Sequence, residues 1–228
     1  GYTQVGFSPD AKKIVTISIL SDSTARLWDV SSGILIAVLK GHAGPIFFAR
    51  FSPDGKNIMT NSNDGIVKIW DASTGNLLKN IKAHTGRKRD FAKFSPDGEK
   101  IITYSVDSTA KTWAFSSGNL LAEINVHALI SHAKFSPDGK QIVINSKNDF
   151  TSIWDATSGN LLANLPGGSN LSRRYSPDGK KIITGSNGDL KIWDASTFQL
   201  LTDLNKNFTA VFNLGFSPDG EEIFARTD

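Results

Sequence analysis

Apolar positions recur along this chain in short bursts, four to each period of about forty residues, with turn-forming residues between them. In the second period the bursts are 46–51, 56–60, 66–71 and 77–82. Each is short and carries β-branched or aromatic residues. Each is bounded by Gly, Pro, Asn or Asp, which is the pattern of a β-strand. No window sustains the 3.6-residue period of an amphipathic helix. The pattern therefore predicts an all-β fold with four strands, a to d, in each period.

The a and b strands are joined by a pentapeptide, Phe51-Ser52-Pro53-Asp54-Gly55. It recurs from Phe7, Phe94, Phe135, Tyr175 and Phe216, with Ala11 in place of Gly in the first copy. Pro presets φ for the second turn position, Asp suits the third, and Gly accepts the left-handed conformation. A fixed period of roughly 40–45 residues marks a repeat architecture of the propeller-blade type. One such hairpin unit cannot bury its faces without neighbours, so the repeats are expected to form a single domain over 1–228. Its repeats run 1–40, 41–83, 84–126, 127–166, 167–206 and, in part, 207–228. Four antiparallel strands per repeat, arranged radially, make a β-propeller blade.

A second marker sits in strand c. Trp-Asp pairs begin at Trp28, Trp70, Trp154 and Trp193, and Trp113 is followed by Ala114. With Gly41-His42 ahead of strand a, the chain resembles the WD40 repeat family along its whole length. The resemblance implies an all-β, WD40-like β-propeller of four-stranded antiparallel blades, five complete and half of a sixth. It also implies a hydrogen-bonded tetrad in a blade, made by a His, a Ser/Thr, an Asp and the Trp. Matched residue by residue, these are His42, Thr60, Asp64 and Trp70 in the second repeat. In the third they are His84, Thr103, Asp107 and Trp113. The first repeat has Thr16, Asp22 and Trp28. The fourth has His127 and Trp154, but Ile144 stands for Thr and Asn148 for Asp. The fifth has Thr184 and Trp193, with Asn187 for Asp and Gly168 for His. Blades four and five are expected to be held less firmly.

Composition narrows the chemistry. There is no Cys, hence no disulfide, thiol nucleophile or Cys-ligated metal. No apolar run is long enough to suggest a membrane span, no signal-peptide pattern is present, and a cytoplasmic setting is expected. The net charge of +3 is small for 228 residues. His42, His84 and His127 occupy one structural position per repeat, so they read as satisfied core histidines rather than a metal site, and His132 stands alone. The Asp residues of both turns likewise have a turn role. No nucleophile-elbow, phosphate-loop or zinc-protease motif occurs. Neither enzyme activity, a cofactor nor a metal is expected.

What remains is recognition. Fold alone does not give function, and the family analogy implies a non-catalytic protein-interaction scaffold or sensing module. Partners, a protein or peptide, are expected on the face carrying the d–a loops and b–c turns, where the repeat pattern breaks. The candidate contacts are Phe47, Arg87, Lys88, Arg89, His132, Lys147 and Phe208. At least one of Phe47 and Phe48 must pack between blades. The alternative is nucleic-acid or polyanion binding, through the Arg87–Arg89 patch and a possible channel ring of Arg50, Lys93, Lys134 and Arg174.

The sixth repeat stops at Asp228 within strand b, and the chain starts at Gly1 with Met59 its single Met. The expectation is a part of a longer chain, most simply a seven-bladed propeller needing about 60 more residues at this period. A six-bladed ring with one thin blade, closed by contact of Val5 and Phe7 with Leu214 and Phe216, is the competing arrangement.

Overall fold

The structure is a computed structural model that describes residues 3–18, 23–84, 91–146, 150–166, 174–186, 189–204 and 211–227. Its described elements are all strands. The first sheet contains β1 (Thr3–Phe7), β2 (Lys13–Ser18), β3 (Thr24–Asp29) and β4 (Leu35–Lys40). The second contains β5 (Ile46–Phe51), β6 (Asn57–Ser62), β7 (Ile66–Asp71) and β8 (Leu77–Lys82). The third has β9 (Phe91–Phe94), β10 (Lys100–Tyr104), β11 (Thr109–Ala114) and β12 (Leu120–Asn125). The fourth has β13 (Ile130–Phe135), β14 (Gln141–Ser146), β15 (Phe150–Asp155) and β16 (Leu161–Pro166). The fifth has β17 (Arg174–Tyr175), β18 (Lys181–Ser186), β19 (Asp189–Asp194) and β20 (Leu200–Asp203). Last comes a pair, β21 (Val211–Phe216) and β22 (Ile223–Thr227). Each sheet is a meander in chain order, as short turns between antiparallel strands require.

The a–b turn explains why the pentapeptide recurs. The Ser52 hydroxyl donates to Asp54 Oδ1 at 2.6 Å, and Asp54 Oδ1 also accepts the Lys56 amide at 3.0 Å. The amide of Asn57 donates to Ser52 Oγ at 3.0 Å. Gly55 follows at φ 72°, and Ala11 takes φ 57° at the same place in the first repeat.

The chain falls into two compact units, 1–107 with 111–120 and 108–110 with 121–228. In the first unit, Val15, Ile17, Ala25, Leu27 and Leu39 of the first sheet pack on Ile46, Ala49, Phe51, Ile58, Trp70 and Ala72 of the second. The alternation of strand side chains then gives the second sheet an opposite face. Phe48, Met59, Val67, Ile69 and Ile81 of that face pack on Ala92, Ile101 and Trp113 of the third sheet. On the first sheet, Val5 and Phe7 stand at the places of Ala49 and Phe51 and are 48% and 63% exposed. In the second unit, Val143, Ile153 and Leu165 of the fourth sheet pack on Tyr175, Ile182 and Trp193 of the fifth. Ile183 and Leu190 then pack on Phe216 and Ile223.

Candidate functional site

Trp70 and Thr60 lie on adjacent strands of the second sheet, both buried. The indole Nε1–H of Trp70 donates to Thr60 Oγ1 at 2.8 Å. An indole can only donate, so the hydroxyl must pass its own hydrogen onward. His42 Nε2 is 2.8 Å from the same oxygen and receives it. That fixes the neutral imidazole with its hydrogen on Nδ1, which donates to Asp64 Oδ2 at 2.8 Å. Asp64 also accepts the amides of Ala43 at 3.0 Å and Ile66 at 2.9 Å. Burial pushes Asp64 up, but these donors outweigh it and hold its carboxyl below the usual range. Burial pushes the His42 imidazole down, against an opposing pull from Asp64.

The sign of the His42 shift gives a pH dependence. The unfolded imidazole takes up a proton near its ordinary value of 6.5, while the folded one resists until lower pH. Its stabilising contribution is therefore complete above about pH 6.5 and is lost as the pH falls through the depressed folded value. Melting temperature is expected to drop across that acidic window, and His42→Gln should flatten this part of the slope. An unchanged slope would remove His42 as its source.

The third sheet repeats the arrangement less tightly. Trp113 Nε1 donates to Thr103 Oγ1 at 2.9 Å, His84 Nε2 is 3.2 Å from that hydroxyl, and His84 Nδ1 is 3.2 Å from Asp107 Oδ2. In the first sheet Trp28 donates to Thr16 at 3.0 Å, and Asp22 lies outside the described residues. In the fifth, Trp193 donates to Thr184 at 2.9 Å, and Thr184 donates to the Pro166 carbonyl at 3.1 Å. A backbone oxygen thus serves where that repeat has no His. Asn187 and Gly168 lie outside the described residues.

The fourth sheet departs. With Ile144 in the Thr place, the buried Trp154 Nε1 has no hydrogen-bond partner among the described residues. His127 is not a core histidine, contrary to the reading of the sequence. It is exposed at φ 54°, with its amide donating to Asn125 Oδ1 at 3.0 Å. Without a hydroxyl opposite, nothing draws its ring inward. Ile144 is fully buried, so Ile144→Thr gains the missing acceptor but loses buried apolar surface, and the fair comparison is its isostere Ile144→Val, which it should exceed in stability by about 1 kcal/mol. Urea unfolding measures it, and a Thr variant no more stable than the Val variant would show that Trp154 gains nothing from the hydroxyl.

The expected partner contacts are distributed unevenly. Phe47 is the extra residue of a bulge in β5, between paired positions Ile46 and Phe48. It is half-buried against the core to which the buried Phe48 belongs. A bulge re-aims a side chain in this way. His132 is exposed on β13, beside the equivalent bulge at Ser131. Arg87, Lys88, Arg89, Lys147 and Phe208 lie outside the described residues, as do Asn148 and the side chain of Arg174. Arg50 is exposed, its guanidinium 5.7 Å from the Phe48 ring centre. The Lys93 ammonium is 5.6 Å from that of Tyr104, and Lys134 is exposed on β13.

Sequence reasoning passed over two further residues at this end of the fourth sheet. Leu129, just before β13, is 44% exposed, and Phe150, opening β15, is 49% exposed. Phe150 had a signal, because the other strand-c openings are Thr24, Ile66, Thr109 and Asp189. Among the described residues no group of three or more His, Asp or Glu could hold a metal ion.

Comparison with known proteins gives the family. The family described as WD domain, G-beta repeat matches residues 33–71, 75–114 and 159–194, about half of the chain. A 46-residue segment is 50% identical to the DENN domain and WD repeat-containing protein SCD1 of Arabidopsis thaliana, covering 20% of this chain and 4% of that one. Over 58 residues the chain is 41% identical to an uncharacterized WD repeat-containing protein, sll1491, of Synechocystis, covering 25% and 16%. Over 43 residues it is 49% identical to the F-box-like/WD repeat-containing protein TBL1X of Mus musculus, covering 19% and 8%. The matches thus span no more than a small part of these relatives' own length.

Proposed function

The chain belongs to the WD40 repeat family, and from that premise we propose that it is a non-catalytic platform holding protein or peptide partners at the sheet ends that carry the d–a loops and b–c turns. WD40 repeats in general mediate protein interactions and are generally scaffolds rather than catalysts. The observation that carries the choice of end is that Phe150 is an exposed aromatic where the other repeats have Thr, Ile or Asp, with Leu129 exposed at the same end, whereas the exposed leucines of the opposite end, Leu35, Leu77, Leu120, Leu161 and Leu200, recur in every complete repeat. Large apolar side chains in water beside exposed polar ones are what a recognition surface offers. His132 lies at the same end, and Phe47 is the bulge residue at the corresponding end of the second sheet. Loops vary while the scaffold stays constant, which makes these connections suitable for recognition.

A photo-crosslinking residue at Leu129 or Phe150 is expected to capture partners that one at Asp138, in the opposite turn, does not. Equal capture at both ends would overturn the assignment. Capture dominated by RNA, and abolished by raising salt, would favour the polyanion reading through Arg50, Lys93, Lys134 and Arg174.

A further inference from the structure

The second sheet holds a buried cation. Lys68, in the middle of β7, is 6% exposed. Its ammonium donates to Asn80 Oδ1, across on β8, at 2.7 Å. That amide is neutral, and among the described residues no carboxylate pairs with Lys68. The fifth sheet shows the paired arrangement. Lys191 holds the place of Lys68, two residues before the strand-c Trp, and its ammonium stands 3.5 Å from Asp203 on β20. Lys191 is also the wetter of the two, its side chain 23% exposed. In the fourth sheet the same two places hold Ser152 and Asn164, both neutral. Of these three sheets, the second alone sets a lysine against an uncharged residue.

The nearby acid is committed elsewhere. Asp64 gives Oδ2 to His42 and the Ala43 amide, and Oδ1 to the Ile66 amide. Burial pushes the His42 imidazole down and the Lys68 charge adds to it, so the ammonium lies beside this hydrogen-bonded chain and not within it. Lys82, two residues beyond Asn80 on β8, is exposed and shares its face by strand alternation. It adds a second positive charge on that side. The ammonium of Lys68 is approached through Gly41, which is exposed just after β4. A Cβ built on Gly41 would meet only Lys68 Nζ, at 4.0 Å. The surface above Gly41 thus opens onto the buried charge.

We infer that Gly41, Lys68 and Lys82 form a binding site for one carboxylate, the Asp or Glu side chain of a partner, which gives Lys68 the counter-charge that Asp203 gives Lys191. A buried charge is costly unless it is paired. An ammonium has three N–H donors and Asn80 takes one, which leaves two for the oxygens of a carboxylate. A dianionic phosphate suits the place less well, because the ionised Asp64 is close by and repels a second charge more strongly. The site lies at the sheet end that carries the d–a loops. That its ligand belongs to a protein partner rests on the function proposed above, whereas its position does not.

The test is titration of the full chain with the α-amide of N-acetyl-aspartic acid, followed by amide chemical shifts. Saturable shifts are expected at Gly41 and Lys68, with the neutral isostere N-acetyl-asparagine amide about tenfold weaker or more. Asn80→Asp, a change at an exposed side chain, should give Lys68 an internal partner and abolish binding. Lys68→Met keeps the buried stem, removes the charge and should abolish it too. Lys82→Ala should weaken it severalfold. Equal affinity for the two probes would overturn the inference, and so would undiminished binding to Asn80→Asp. Inorganic phosphate bound more tightly than the carboxylate, and lost in Asn80→Asp, would overturn the choice of ligand in favour of a phosphoryl group. Failure of the probe to bind, with crosslinking at Leu129 or Phe150 intact, would remove this site and leave the partner surface. Probe binding as expected, without crosslinking there, would uphold the site and remove that surface.

Discussion

Thr60→Val is expected to destabilise the chain by about 2–6 kcal/mol, because two buried groups lose their partner at once and each costs roughly 1–3 kcal/mol. Valine matches threonine in shape but not in chemistry. The Trp70 indole N–H would have nothing to donate to, and His42 Nε2 nothing to accept from. Both Trp70 and His42 are buried, so water offers little substitute. Urea unfolding is the measurement. Adding Trp70→Phe to Thr60→Val removes one orphan and should recover part of the loss, since deleting both partners costs less than deleting one. A loss under about 0.5 kcal/mol for Thr60→Val would mean that this hydrogen-bonded chain contributes nothing to stability beyond packing.

The tetrads also separate what could be read in the sequence from what could not. The a–b turn was legible because its interactions are local. Ser52, Asp54 and Asn57 satisfy one another within six residues, and the chemistry repeats with the letters. The four-strand meander followed from it. The partner of Thr184 was not legible, because it is the Pro166 backbone carbonyl and a carbonyl leaves no mark on residue type. His127 misled for a related reason. A His in the right place turns inward only if a hydroxyl waits for it, and Ile144 offers none. The bulge at Phe47 is a matter of register, which a strand's composition does not encode. The exposure of Leu129 depends on what neighbouring connections leave uncovered. Candidate contacts on the loops were therefore readable only as departures from a pattern.

The strand c–d turn carries a further consequence of repetition. Gly75 adopts φ 75°, which by itself costs an alanine about 1–2 kcal/mol. Its neighbour adds to this. A Cβ on Gly75 would lie 2.3 Å from Cβ of Ala37 and 3.2 Å from Cδ2 of Leu39, on the outer strand of the first sheet. Ala37 Cβ is fixed to its backbone, so β4 would have to move. Overpacking of that kind costs about 1–3 kcal/mol. Gly75→Ala is thus expected to destabilise by roughly 2–5 kcal/mol. Gly33 supplies the control, for it occupies the equivalent turn of the first sheet at φ 67°, and a Cβ added there would meet nothing within 4 Å. Gly33→Ala should show the backbone cost alone. The difference between the two variants then measures the contact between the sheets. Ala37→Gly placed in the Gly75→Ala background should return most of that difference, because it removes the atom in the way. Equal losses for Gly33→Ala and Gly75→Ala in urea unfolding would show that the outer strand yields freely, and that the close approach of these two sheets contributes little to holding them together.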